Sequence, residues 1–156
     1  MRISSKVDYA MRAMTELACA SGEPLKAERI ARAQDISLKY LLQTLTELKR
    51  AQLVRSLRGP SGGFELSRSA EEIYLADIFR AVDGPLADVH DQSLSVLAYP
   101  GPAASLPEVW MAVRASLRRV LETVSLAQLA EHRLPGAVSE LVDEYRRATV
   151  IRRAAG

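Results

Sequence analysis

A mainly α-helical fold carrying one small β-hairpin is what the sequence predicts, on three observations. Apolar residues recur at helical spacing through most of the 156-residue chain. Two short runs of strand character flank one glycine-rich turn, Gly59-Pro60-Ser61-Gly62-Gly63. The hydrophobic content is 48% but includes only two Phe and one Trp. The core therefore rests on Leu, Val, Ile and Ala, which suits packed helices.

Each element follows in order. Ser4 or Ser5 is placed to cap a first helix running to about Ala20, because Val7, Ala10, Met11, Met14, Leu17 and Ala18 share one stripe. Gly22 and Pro24 close it. Leu25 leads into a short helix from Lys26 to about Ala33, anchored by Ile30. Asp35-Ile36-Ser37 forms a turn, and Ser37 is a suitable N-cap for a helix reaching about Ala51. Its apolar positions are Leu38, Leu41, Leu42, Leu45 and Leu48. Two helices joined by so short a turn have helix-turn-helix spacing.

Leu53 to Arg58 then alternates, with Leu53, Arg55 and Leu57 set against Val54, Ser56 and Arg58, and Phe64 and Leu66 share a face on the returning strand. A helix over 71–82 carries Ile73, Leu75, Ile78, Phe79 and Val82, and Asp83-Gly84-Pro85 stops it. Pro100, Gly101, Pro102 and Pro107 make Leu86–Pro107 a loop, with room for a helical turn around Ser93–Ala98. A long helix from Pro107 to about Thr123 places Val109, Val113, Leu117, Val120 and Val124 in a stripe. Ser125 caps a short helix through Leu126 and Leu129. After Pro135-Gly136 a last helix carries Val138, Leu141, Val142 and Tyr145.

The layout of helix, turn, helix and basic hairpin is that of a winged helix-turn-helix DNA-binding domain, here joined to a long dimerisation helix. The expected division is a DNA-binding domain over 1–85, a loop and effector region over 86–107, and dimerisation and C-terminal helices over 108–156. Charge agrees with this division. Net charge is +2, but residues 1–68 hold 12 Lys/Arg against 7 Asp/Glu, and residues 69–156 hold 9 against 12. A basic module joined to a mildly acidic one fits a nucleic-acid reader with an assembly element. The opening MRISSKVDY lacks the apolar core of a secretory leader, and no apolar run approaches the ~20 residues of a membrane span. A cytoplasmic location is expected by elimination. A lone cysteine, Cys19, excludes a disulfide or thiolate zinc site within one chain. No Ser/His/Asp set or paired carboxylates point to an enzyme.

The helix beginning near Ser37 presents Ser37, Lys39 and Tyr40, then Gln43 and Thr44 one turn later. Residues at the start of a recognition helix reach base edges. Gln can bond an adenine edge twice, whereas Ser and Tyr suit phosphate or a single base group. An ordinary amphipathic helix would show the same polar residues, so the hairpin decides between the two. Arg55, Arg58 and Arg68 flank its glycines, and Arg58 at the tip suits a narrow minor groove. The Walker spacing of a nucleotide-binding loop is absent.

On these residues the chain resembles the Rrf-two-type bacterial transcription regulators, which include iron–sulfur, nitric-oxide-sensing and cysteine-metabolism repressors. The resemblance rests on Met1-Arg2-Ile3-Ser4-Ser5-Lys6, Tyr9-Ala10, Ile36-Ser37, Tyr40-Leu41, Gln43 and Leu53-Val54-Arg55-Ser56. It continues through Arg58-Gly59-Pro60, Gly62-Gly63-Phe64, Leu66 and Ile73–Pro85, and returns at Val124-Ser125-Leu126-Ala127. It implies a homodimeric repressor of a roughly palindromic duplex operator, paired through the long helix. Carried over by position, Ser37, Tyr40 and Gln43 become recognition-helix contacts. Arg58, Gly59 and Ser61 become wing contacts, and Ser4, Ser5 and Lys6 become backbone anchors.

Two departures matter. Many members of that family bind an iron–sulfur cluster through three cysteines before the long helix, and Leu86–Glu108 contains none. Asp8 sits where some members place an acidic cluster ligand, but one carboxylate cannot hold a cluster. No cofactor or metal is therefore expected. Gln52 replaces a glycine common after the recognition helix, so it must take a left-handed cap or a different turn.

Other candidates are weaker. Cys19 is expected to be a buried small residue; were it exposed, a redox sensor would be an alternative. His90 between Asp88 and Asp91 reads as a solvated loop group, and His132 has no evident partner. Trp110 and Tyr99 are expected to pack at the dimer interface rather than to line a ligand pocket. A winged helix can also act as a protein-interaction module. The candidates for a controlling signal are a small-molecule effector, a partner protein and thiol chemistry at Cys19.

Overall fold

A computed structural model describes residues 3–85 and 97–154. Its elements are α1 (Ser5–Cys19), α2 (Ala27–Gln34), α3 (Leu38–Arg50), β1 (Val54–Leu57), β2 (Gly63–Leu66), α4 (Leu75–Asp83), α5 (Leu106–Leu121), α6 (Leu126–Ala130) and α7 (Gly136–Ala154), with 3-10 turns at Ala70–Glu72 and Gly101–Ala103. No helix among the described residues is long and apolar enough to cross a membrane.

One core holds the winged module together. Val7, Met14 and Leu17 of α1 pack with Ile30 of α2, Leu41, Leu45 and Leu48 of α3, and Ile78 and Val82 of α4. Leu126 of α6 joins the same cluster. Each such side chain contributes roughly 1.5–3 kcal/mol by leaving water. The expected division at 107/108 thus does not separate two cores, because the third segment sends α6 back into the first. Backbone bonds fasten it there: Leu75 N–H donates to the Val124 carbonyl at 3.0 Å, and Leu126 N–H to the Ile73 carbonyl at 2.7 Å. Ser125 and Gln128 cap α6 reciprocally, each side chain accepting the other's backbone N–H.

Polar ties set the helix-turn-helix. Ser4 caps α1 by accepting from Val7 N–H at 3.2 Å. Arg12 of α1 reaches the C-terminus of α2, donating to the Gln34 side chain at 3.0 Å and to the Gln34 carbonyl. An otherwise unpaired helix-end carbonyl is thereby satisfied from the neighbouring helix. Asp35 ends α2 in the left-handed region, with φ 50°. Ser37 stands at the N-cap position of α3, but its side chain makes no capping bond.

The hairpin pairs Val54 with Leu66 and Leu57 with Gly63 in antiparallel register. Leu25 exchanges two backbone bonds with Phe64, both 2.8 Å, an isolated antiparallel bridge that ties the chain between α1 and α2 to the hairpin. Gly63 makes this possible, since a Cβ there would lie 2.6 Å from the Leu25 carbonyl oxygen. Gln52 takes the left-handed turn that its position demanded, at φ 58°.

Several expectations are corrected. The helix over 71–82 begins only at Leu75: Ala70–Glu72 forms a separate turn and Ile73 is a buried link between the two. The alternation of Leu53–Arg58 is not realised, because Leu53 and Val54 are both buried and Leu57 is exposed. Leu38 and Leu42, expected in the core, are 37% and 43% exposed. Cys19 is exposed, not buried. Val124 leaves the predicted dimer stripe, since α5 ends at Leu121 and Val124 is 1% exposed inside the winged module. Of the rest, Val113, Leu117 and Val120 are half-buried and Val109 is exposed, together with its neighbours Trp110 and Met111. His90 and its two neighbouring aspartates lie outside the described residues, as does most of the turn expected around Ser93–Ala98.

Candidate nucleic-acid interface

Helix α3 buries Leu41, Thr44, Leu45 and Leu48 and turns the opposite face to solvent. Helical spacing places Lys39, Gln43, Thr46 and Arg50 in one outward row, and all four are exposed. Thr46 and Arg50 extend the row beyond the expected residues, on the same 3.6-residue period carried on from Lys39. Thr44 is the reverse case. It is 2% exposed and its hydroxyl donates to the Tyr40 carbonyl at 3.0 Å, so it is a core residue and not a contact. Ser37 and Tyr40 are exposed on the N-terminal turn.

The N-terminus of α1 lies along one flank of α3. Ser5, Lys6, Tyr9, Tyr40, Gln43 and Glu47 border an open groove between the two helices. Lys6 pairs with Glu47 across it at 2.7 Å. Ser4 is committed to structure: besides capping α1 it donates to Asp83 at 3.2 Å, which sets a carboxylate beside it.

The hairpin lies along the other flank. Lys49 near the end of α3 donates to the Ser56 hydroxyl of β1 at 2.9 Å. Arg58, Gly59, Pro60 and Ser61 are exposed at the tip. Gly59 turns the chain at φ 104°, and Gly62 N–H closes the turn on the Gly59 carbonyl at 2.9 Å. The three arginines around the turn have different roles. Arg55 pairs at 2.5 Å with Glu65, whose residue is only 9% exposed, and Arg68 pairs with Asp77 at 3.2 Å. Arg58 has no ion pair among the described residues, nor have Lys39 and Arg50. With Lys49, which bonds a hydroxyl and no carboxylate, the face presents four cations without an ion pair among the described residues around a polar helix surface, the electrostatic footprint of a phosphate-binding surface.

Comparison with known proteins identifies the family. The model of the Rrf2 family, described as iron-dependent transcriptional regulators, matches residues 3–132. Rv1287 of Mycobacterium tuberculosis (strain H37Rv), named only provisionally as an HTH-type transcriptional regulator, is 49% identical over 147 residues, covering 94% of this chain and 91% of that protein. The HTH-type transcriptional regulator CymR of Bacillus subtilis is 35% identical over 133 residues, 85% of this chain and 91% of the relative. The solved structure of CymR, the global cysteine regulator of B. subtilis, superposes with a TM-score of 0.72 at 34% identity, covering 85% of this chain and 98% of that one. IscR of T. potens gives 0.67 at 32% identity, covering 85% and 88%.

The family description implies iron, and the donor set here does not fit an iron–sulfur cluster. Such clusters take about four ligands, mostly thiolate. The chain has one cysteine, exposed at the C-terminal end of α1. Asp8 is paired with Arg12 at 3.0 Å. Among the described residues no three His, Cys, Asp or Glu side chains gather into a metal-holding group. Fold, face and matched sequence all point the same way: the chain belongs to the Rrf2 family of winged helix-turn-helix DNA-binding transcriptional regulators.

Proposed function

We propose that this regulator acts as a homodimeric repressor of a roughly palindromic operator, and that it does so without an iron–sulfur cluster. The observation that carries the dimer is the apolar surface of α5. Val109, Trp110 and Met111 are 52%, 37% and 43% exposed, and Val113, Leu117 and Val120 continue the side of Val109 along the helix only half-buried. A second copy related by a two-fold axis would cover this surface and present two equivalent readers.

In this reading α3 lies in the major groove. Gln43 bonds an adenine edge, and Ser37, Lys39 and Tyr40 hold phosphates or single base groups. Ser5 and Lys6 approach the backbone on one side, with Lys6 exchanging Glu47 for a phosphate. Arg58, Gly59 and Ser61 approach it on the other, where Arg58 enters the minor groove. Thr46 and Arg50 extend the contact row. The loop before α5 is the proposed effector region.

The test is selection of bound sequences from random duplexes, together with sedimentation at micromolar concentration. An enriched two-fold sequence and a dimeric mass are expected. A monomer, or no preference among duplexes at moderate salt, would remove the reading.

A further inference from the structure

Leu38 and Leu42 lie one turn apart on α3, and the fold leaves both exposed. They lie on the flank of the outward row that faces the hairpin. Lys49 occupies the same flank two turns beyond Leu42 and bonds Ser56 of β1. Core packing does not account for them, since the buried side of α3 is completed by Leu41, Thr44, Leu45 and Leu48. Helix propensity does not require them either, because Ala serves at least as well at an exposed position.

The surroundings indicate what covers them. Lys39, Gln43 and Lys49 frame the pair, and Arg50 and Arg58 extend the same positive face. An apolar protein partner would have to desolvate these cations, whereas a polyanion compensates them. On the floor of the major groove the apolar group available to a side chain is the C5-methyl of thymine. Resting on the reading that α3 enters that groove, we infer that Leu38 and Leu42 form an apolar clamp that reads thymine methyl groups. Sequence preference would then have two parts: a hydrogen-bonded one through Gln43, and a methyl-dependent one through the leucines. The second is blind to hydrogen-bonding groups and depends on a single carbon.

The test uses the duplex that the full-length protein selects from a random pool, with each thymine replaced in turn by deoxyuridine. Deoxyuridine keeps every hydrogen-bonding group and removes only the methyl. At one or two positions per half-site, binding should weaken about three- to five-fold, the equivalent of one buried methyl. Leu42→Ala should weaken the thymine duplex by a similar factor and lose its sensitivity to deoxyuridine at one of those positions. Leu38→Ala should do the same at a neighbouring one. Gln43→Ala should retain the sensitivity. If the leucine variants and the deoxyuridine changes act independently at every position, the clamp is excluded while DNA reading by α3 stands. If wild type selects no duplex, the groove reading itself falls and the clamp with it. If the leucine variants bind every duplex like wild type yet lose capture of a protein partner, the leucines form a protein-docking patch and the clamp is wrong.

Discussion

Individual residues of α3 and the wing divide, in the proposed reading, into those that choose a sequence and those that hold the duplex. Gln43 is exposed in the outward row and can make a two-point contact. Gln43→Ala should change which duplex is preferred, at a cost of about 1–3 kcal/mol on the best site. Arg58 has no carboxylate partner among the described residues and lies at the wing tip. Arg58→Ala should weaken all duplexes alike and flatten the dependence on salt. Equilibrium titration of both variants on several duplexes, repeated at two salt concentrations, separates the two roles. A uniform loss from Gln43→Ala together with a changed preference from Arg58→Ala would reverse the assignment. Cys19 carries its own prediction. Being exposed, it should react stoichiometrically with a thiol reagent in the folded protein, and protection until denaturant is added would contradict its placement. Residue type alone misled in three places. Thr44 reads as polar, but its hydroxyl is satisfied four residues back along the helix, and a satisfied hydroxyl can be buried. Leu38 and Leu42 read as core, but one face of a 13-residue helix had already been filled. Cys19 reads as buried by habit of its type, yet it is the last residue of its helix, where the chain turns out to solvent.

At the scale of elements, periodicity recovered α1, α2, α3 and α5 to within a residue or two, and the glycine turn located the hairpin. These signals are local, so one sequence displays them. Long-range pairing is not local. Nothing in residues 53–58 says that Leu25 will pair with Phe64, or that Val124 will leave the line of α5 to meet Leu75. The helical stripe ran on through Val124 only because its spacing happens to continue after the helix has stopped. What remains of that stripe supports a sharper expectation. Leu117→Asp would place a charge on the half-buried seam of α5 and should shift sedimentation from dimer to monomer; an unchanged dimeric mass would place the interface elsewhere. The junction of α4 and α5 has a pH signature. Glu122 is held below the usual carboxylate range by its bond from Arg118 at 3.0 Å and then by Arg80. A lowered carboxyl contributes its stabilisation above the ordinary carboxylate range and loses it as pH falls through the lowered value. The advantage of wild type over Glu122→Gln, read from urea midpoints, should be small because the pair is exposed, present at pH 7, and gone in acid. A difference that stays constant from neutral pH into acid would argue against this junction.

For the whole molecule, the donor set predicts a colourless protein that binds its duplex after anaerobic purification without added iron. An absorption spectrum and an iron assay check this. A brown protein with stoichiometric iron and sulfide would overturn it and point to ligands beyond those described. The arrangement of parts has a mechanical corollary. α5 spans 16 residues, roughly 24 Å at the usual helical rise. Its C-terminal end is bolted to the reader by the Arg80–Glu122 pair and by the Val124 carbonyl, which accepts from Leu75 N–H, while its N-terminal end follows the loop. The wing is bolted too, through Leu25 and Gly63. In the proposed dimer the reader and α5 would therefore move as one rigid arm, pivoting at the N-terminal end of α5. At that length a tilt of roughly 8° displaces the far end by about 3.4 Å, one base-pair step along the duplex. If the proposed dimer forms, a signal that moves one end of the lever by a single step would throw its two arms out of phase with the turns of DNA, without altering any atom that touches a base.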